Sequence, residues 1–289
     1  MRIGYFSAAW QDIRNSPGWV GKMLLMSLLM LIPVFGWIVV YGYLLGWARD
    51  IAWGVHAPLP ARLFGNEDGK LYSRGFFAGV ISLVCNAVPF IVEMVGGVVL
   101  GVGTVGLFLW GWNDGSLMPA GATSAVAAVV LPLVVFALSL FVGFFRWVGW
   151  MRMAVYGRLS AGFQVGRIWA MMRHDFGGIM RIFGMSLILG AALILGALVL
   201  GIVLCVILFL VIFVGAWLSV LLVSLGAMVA IIAFMTVLLA YGYAVGAMAT
   251  FSTMVIVRAL GYWTRQFDVP AWRGQDDPMP FELAGAPVR

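Results

Sequence analysis

Long apolar runs alternate with short polar segments along this chain. Four such runs cover residues 23–47, 76–110, 125–145 and 182–257, and Glu93 is the one charged residue within them. A helix needs about 20 predominantly apolar residues to cross the hydrocarbon core of a bilayer. The pattern therefore predicts an all-α integral membrane protein whose polar segments lie outside the lipid.

The positions of Lys and Arg predict how often the chain crosses, because basic residues collect on the cytoplasmic side. They flank both the run 23–47 and the run 182–257, so each run should cross an even number of times. Residues 111–124 contain no Lys or Arg and are expected on the opposite side. All 17 Lys and Arg fall on one side with about six membrane segments: 18–33, 35–55, 75–108, 125–150, 180–214 and 217–257.

Two of the runs leave alternatives open. Residues 23–47 fit a short or re-entrant hairpin that turns at Pro33–Gly36, or a single crossing kinked at Pro33, and the charge pattern favours the hairpin. Residues 182–257 fit two long helices with a turn near 215–219, whereas three crossings would put the C-terminus outside. We expect both termini on the cytoplasmic side.

Two segments, residues 1–16 and 159–175, have one apolar and one polar face. We expect each to form an amphipathic helix at the membrane interface. The segments also resemble each other, and an alignment pairs Trp10, Arg14, Gly18, Lys22, Met26, Ser27 and Leu28 with Trp169, Arg173, Gly177, Arg181, Met185, Ser186 and Leu187. Because both copies start from one side, they predict a parallel internal repeat; chance similarity is the alternative.

The membrane segments and both interfacial helices are expected to form a single polytopic domain over residues 1–267. Residues 268–289 are rich in proline and acidic residues. Such a composition buries too little apolar surface to fold alone, so we expect a disordered cytoplasmic tail.

Composition supports the membrane assignment. Hydrophobic residues make up 64% of the chain and charged residues 10%, with a mean hydropathy of +1.07. Soluble domains carry about 25% charged residues, so most of this surface should face lipid. The net charge of +6 follows from the basic cytoplasmic segments and does not indicate nucleic-acid binding.

A short series of residues around the first hairpin carries a family resemblance. Its markers are Gly42, Tyr43, Arg49, Gly54, Leu59 and Pro60, which follow an Asn-Ser-Pro-Gly-Trp segment and an Ile-Pro pair. In these markers, and in its later amphipathic segment and final helices, the chain resembles the DUF4013 membrane family. It departs from the family pattern where Ala61-Arg62 replaces a tryptophan-containing turn. The resemblance implies a multi-pass protein of a bacterial or archaeal plasma membrane, with no assigned activity.

Glu93 and Asn86 form the first candidate site, a polar pair within the membrane. A charge at the bilayer centre costs about 2.5–3.5 kcal/mol on insertion scales, so Glu93 should be protonated, paired or facing a cavity. Asn86 lies seven residues earlier, near the same helix face. The pair could form a proton or substrate site on a transport path, or a neutral hydrogen bond between helices.

A run of six arginines is the second candidate site. It comprises Arg146, Arg152, Arg158, Arg167, Arg173 and Arg181, against the single acidic residue Asp175. Arginines beside an interfacial helix commonly contact anionic headgroups. We therefore expect this run to bind anionic lipid or a protein partner.

No motif for catalysis, cofactor binding or metal binding stands out. The GxGxxG at Gly101–Gly106 lies in a membrane run with no preceding strand, which argues against nucleotide binding. The single histidines His56 and His174 lack the further ligands that a metal needs, and Cys85 and Cys205 lie within apolar runs. We expect a non-enzymatic protein without cofactor.

The sequence thus favours a transporter-like or permease-like component for a small molecule or lipid. The alternative is a membrane scaffold or partner subunit that binds anionic lipid or another protein through its basic cytoplasmic face. The bilayer is the one partner that composition itself implies; the sequence names no protein partner and no oligomeric state.

Overall fold

A computed structural model describes residues 4–65, 68–114, 118–219 and 223–284. Within these ranges the regular structure is entirely helical. The α-helices are α1 (Tyr5–Arg14), α2 (Trp19–Met30), α3 (Phe35–Ala52), α4 (Leu71–Asp114), α5 (Met118–Tyr156), α6 (Val165–His174), α7 (Phe176–Ser219), α8 (Val223–Arg265) and α9 (Pro280–Ala284). Two short 3-10 helices cover Leu159–Phe163 and Val269–Ala271.

Four helices in the described part of the chain are long and apolar enough to cross a membrane: α4, α5, α7 and α8. The all-α class is therefore confirmed, and helices of this length and composition are typical of a multi-pass membrane protein. Helices α2 and α3 have 12 and 18 residues, or about 18 and 27 Å at 1.5 Å per residue. Both are shorter than a standard crossing of about 20 residues, so the count of six membrane segments stays a prediction, as does the internal repeat.

The first apolar run is broken where proline predicted a turn. Helix α2 ends at Met30 and α3 begins at Phe35. A Cβ added to Gly36 would lie 1.7 Å from the carbonyl oxygen of Leu29, so only glycine permits this close return of the chain. Large apolar side chains at the break are exposed, Val34 by 69%. The run therefore forms two separate helices, and the predicted hairpin across the bilayer stays a prediction.

The chain divides into two compact units, residues 1–75 with 175–289 and residues 76–174, and the single polytopic domain stays a prediction. In the first unit, α3 packs against the C-terminal part of α8. A Cβ at Gly261 would lie 2.5 Å from the carbonyl oxygen of Ala48, so the two backbones are nearly in contact. Trp47 and Trp263 are fully buried there, and this core positions the candidate site.

In the second unit, α5 packs against the 3-10 helix and α6. Trp150 donates from Nε1 to the carbonyl oxygen of Ala78 at 3.1 Å. Gly149 lies against Gly162, where an added Cβ would be 2.7 Å from the carbonyl oxygen. Both predicted amphipathic segments are helical, and α6 buries Ile168 and Met172.

The C-terminal tail differs from the predicted disorder over residues 268–284. Val269 and Met279 are buried, and the rings of Phe267 and Phe281 lie 5.5 Å apart. Apolar residues of this polar segment are therefore covered in the folded chain. Helix α7 also continues through the turn predicted near 215–219 as far as Ser219, and residues 220–222 lie outside the described ranges.

Candidate functional site

The C-terminal half of α3, the loop after it and the first turn of α4 surround a polar pocket of about 260 Å³. We call it the arginine pocket. Its polar lining includes Tyr43, Arg49, Asp50, Asp68 and Arg74. Two basic and two acidic side chains thus meet in one small space at the end of an apolar helix.

Two glycines of α3 allow α4 to approach closely enough to form the pocket wall. A Cβ added to Gly42 would lie 2.1 Å from the carbonyl oxygen of Leu71, and one added to Gly46 would lie 2.3 Å from Nη1 of Arg74. Arg74 donates from Nη1 to the carbonyl oxygen of Gly42 at 3.1 Å. Gly42 and Gly46 form a GxxxG pair, and this close contact between helices is made within the chain and accommodates the guanidinium of Arg74.

The loop after α3 is attached to the helix by aromatic side chains. Tyr43 donates from Oη to the carbonyl oxygen of Pro60 at 2.8 Å, and Trp47 donates from Nε1 to that of Ala57 at 3.0 Å. Gly54 begins the loop with a φ of +84°, a conformation that favours glycine. Through these contacts, the family-like markers hold the loop over the pocket.

Leu59 anchors the same loop to the N-terminal helices. Its side chain is buried, and its amide donates to Ser16 Oγ at 2.8 Å. Its carbonyl oxygen accepts a hydrogen bond of 3.0 Å from Lys22 Nζ. The loop is therefore fixed at both faces by side chains from α2, α3 and the segment before α2.

The two arginines of the pocket converge on one carboxylate oxygen. Oδ2 of Asp68 accepts from Arg49 Nη1 at 2.7 Å and also forms an ion pair with Arg74 Nη2. Arg49 binds Asp50 Oδ1 as well, at 2.9 Å. Burial by itself would raise the pKa of Asp68, but the guanidinium charges and the amide of Lys70 lower that pKa below its ordinary value.

A second buried arginine lies behind the pocket wall. Arg258 is fully buried and pairs with Asp12 Oδ2 at 2.6 Å. It also donates to the carbonyl oxygen of Trp47 at 2.6 Å, and its guanidinium carbon lies 4.1 Å from the centre of the Trp47 ring. Tyr262 donates to the same oxygen of Asp12 at 2.8 Å. This cluster joins α1, α3 and α8.

The intramembrane pair predicted from sequence is not brought together. Glu93 and Asn86 are both exposed on α4, and neither lines the arginine pocket. Asn86 instead accepts a hydrogen bond of 3.3 Å from Arg146 Nη1. Because Glu93 lies on the outer surface of an apolar helix, it is not the centre of the site described here.

The six predicted arginines have different environments and do not act as one set. Arg152 is fully buried and donates to the carbonyl oxygen of Ala161 at 3.3 Å and to the side chain of Gln164. The side chains of Arg146 and Arg167 are half-buried, whereas those of Arg158, Arg173 and Arg181 are exposed. Arg152 is therefore a structural residue that cannot reach a lipid headgroup.

Sequence reasoning found Arg49 but missed Arg74, Asp68, Asp12 and Arg258. The two arginines were used only as indicators of membrane topology, and the two acidic residues were not considered as their partners. A signal was present, because only 11 acidic residues occur in the chain, and Asp50 lies among the family-like markers while Asp68 follows them. Spacing alone does not reveal which arginine each acid meets.

The comparisons bear on the region that contains the pocket. The sequence profile of DUF4013, described as a protein family of unknown function, matches residues 25–202. The chain belongs to the DUF4013 family. The match starts within α2 and includes every residue of the arginine pocket, while Asp12 and Arg258 lie outside it. No curated protein and no solved structure gives a significant match to this chain.

Proposed function

We propose that this DUF4013 protein is a non-enzymatic, transporter-like membrane component that binds a small molecule or lipid headgroup in the arginine pocket. The observation that carries the proposal is the convergence of Arg49 and Arg74 in a pocket that also has a tyrosine and two acidic residues. Guanidinium groups in fixed positions recognise phosphate and carboxylate groups. A pocket of this polarity next to membrane helices suits a solute that must be recognised before it enters or leaves lipid.

The neighbouring hairpin supports a role at the membrane. The connection between α2 and α3 and the first turn of α3 expose Leu31, Val34 and Trp37 by 60–69%, a degree of exposure that is costly for such side chains in water. Helices of 12 and 18 residues are suited to partial penetration of a bilayer of about 30 Å. A pocket built on a helix that enters lipid without a full crossing could open toward either side.

Single-cysteine labelling tests transport through the pocket. In a background with Cys85→Ser and Cys205→Ser, Gly65→Cys reports on the pocket lining, and Ser160→Cys reports on the cytoplasmic side. We expect a membrane-impermeant thiol reagent to label Gly65→Cys in vesicles of both orientations, and Ser160→Cys in one orientation only. Labelling of both variants from the same single side would reject transport through this pocket.

The scaffold function remains the second candidate because of α6. This helix exposes Val165, Trp169 and Arg173 while it buries Ile168 and Met172. An exposed tryptophan beside an exposed arginine is suited to the headgroup region of a membrane. Arg173→Glu should reduce the anionic lipid that co-purifies with the protein, measured by native mass spectrometry, and Arg152→Glu is unsuitable there because that site is buried. Unchanged lipid content would reject this function for α6.

A further inference from the structure

We propose that the carboxylate of Asp68 occupies the position of a ligand's anionic group, and that the ligand binds by displacing Asp68 from Arg49 and Arg74. The ligand class is a molecule with a singly charged phosphodiester group. This inference rests on the proposed function, since it uses the same pocket, and it adds the chemical class of the ligand and an internal competitor for the site.

Both arginines are oriented by contacts that do not involve Asp68. Arg74 is 5% exposed, packs over Gly46 and donates to the carbonyl oxygen of Gly42 at 3.1 Å. Arg49 binds Asp50 through Nε at 3.2 Å and Nη2 at 2.9 Å, which directs Nη1 toward Asp68. The two donors therefore stay in place when the Asp68 carboxylate moves away, as a preorganised anion site requires.

Asp68 is the more accessible partner. It is 31% exposed and lies in the connection before α4, next to Gly69, which has a φ of +67°. Its other oxygen, Oδ1, accepts a hydrogen bond of 3.1 Å from the amide of Lys70, a residue of the same connection. Displacement therefore exposes a carboxylate that is already partly in water, while the buried guanidinium of Arg74 gains a new partner.

Charge sets the class of the ligand. Arg49 and Arg74 carry two positive charges, and Asp50 and Asp68 balance them. When Asp68 leaves, one positive charge remains uncompensated near a side chain that is almost fully buried, which is unfavourable. A singly charged group restores the balance, whereas a doubly charged group would exceed it.

The size of the pocket limits what enters it. A space of about 260 Å³ is below the common range of about 300–1,000 Å³ for sites that enclose a whole small molecule. The pocket therefore takes the anionic end of the ligand, and the remainder extends outside. A lipid headgroup and a soluble phosphodiester share this chemistry, and the experiment separates the two sources.

The test measures binding to the full chain in phosphatidylcholine nanodiscs. The soluble probe is dimethyl phosphate, and the lipid probe is phosphatidylglycerol added to the nanodisc, since both are singly charged phosphodiesters. Asp68→Ala removes the internal competitor, and Asp68→Asn removes its charge with little change in shape. Asp277→Ala is the matched control, because it makes the same change in net charge at a residue that binds the amide of Gly274.

We expect Asp68→Ala and Asp68→Asn to bind one probe at least about tenfold more tightly than the wild type, because a tethered competitor acts at a millimolar effective concentration. Asp277→Ala should bind like the wild type. Adding Arg74→Gln to Asp68→Ala should remove the gain. A gain for dimethyl phosphate supports a soluble ligand, and a gain for phosphatidylglycerol alone supports a lipid headgroup.

The proposal is overturned if both Asp68 variants fold and bind neither probe more tightly than Asp277→Ala does. Asp68 would then be a structural counter-ion of the two arginines. If Gly65→Cys were still labelled from both sides in that case, transport through the pocket would stand and only the ligand class would be rejected. A gain for the Asp68 variants without two-sided labelling would keep the ligand class and reject transport.

Discussion

The ion pair between Arg258 and Asp12 should be a principal source of stability in the first unit. The substitution Asp12→Ala leaves a fully buried guanidinium without its carboxylate. Removal of one partner of a buried pair costs about 3–5 kcal/mol. Arg258 keeps its hydrogen bond of 2.6 Å to the carbonyl oxygen of Trp47 and its cation–π contact with the Trp47 ring. We therefore expect a loss of stability in the lower half of that range.

Compared with Asp12→Ala, Arg258→Met should lose less stability through an unpaired charge and more through lost hydrogen bonds. Asp12 is 21% exposed, so water can solvate its carboxylate after the arginine is removed. The carbonyl oxygen of Trp47 loses the guanidinium donor, at about 1.5–3 kcal/mol for a hydrogen bond to a charged group, whereas the carbonyl oxygen of Ala57 keeps the Trp47 indole N–H. The double variant Asp12→Ala/Arg258→Met should therefore lose less stability than the sum of the two single variants.

The measurement is equilibrium unfolding in detergent, arranged as a double-mutant cycle. We expect a coupling energy of about 1–3 kcal/mol between the two sites, within the range for residues in one ion-pair network. Arg14→Met is the matched control, because Arg14 is exposed on the same helix as Asp12 and its loss should change stability little. Additive single-variant effects would refute the conclusion that the pair joins α1 to α8.

Three further predictions concern the arginine pocket and the apolar helices. The pKa of Asp68 is lowered in the folded state. Its contribution to stability is therefore present above its unfolded pKa of about 3.9 and is lost as the pH falls through the folded pKa. Acid titration of unfolding should show this loss of stability below about pH 4 in the wild type and not in Asp68→Asn. Gly42→Ala should cost about 1–3 kcal/mol because of overpacking against Leu71, whereas Gly79→Ala, with open space at its Cβ, should not lower the unfolding midpoint. Glu93→Gln should leave the affinity for dimethyl phosphate unchanged. A loss of that affinity would show that Glu93 contributes to binding.

Several features of the fold could be predicted because they depend on neighbours in sequence. The break at Pro33 follows from a residue without an amide hydrogen, and the presence of α4, α5, α7 and α8 follows from apolar runs as long as a bilayer requires. The family-like markers also pointed to the correct segment, since Tyr43 and Arg49 both line the pocket. These are local properties, and they can be read from one stretch of chain at a time.

The partners of the charged residues could not be predicted in the same way. Arg258 and Asp12 lie 246 positions apart, and no local pattern marks them as a pair. Arg74 and Asp68 are close in sequence, but their meeting with Arg49 depends on the glycines that let α4 approach α3. The tail shows the same dependence, because the burial of Val269 is a property of the packed chain and not of its local sequence.

The sequence by itself determined the helical membrane class, the positions of the long helices and membership of the DUF4013 family. Apolar burial and backbone geometry act along the chain, so periodicity, proline and composition are sufficient to reveal them. Only the tertiary structure decided which charges are buried and which of them share a pocket. Electrostatic partners are chosen by distance in space, and that distance is established only after the helices have packed.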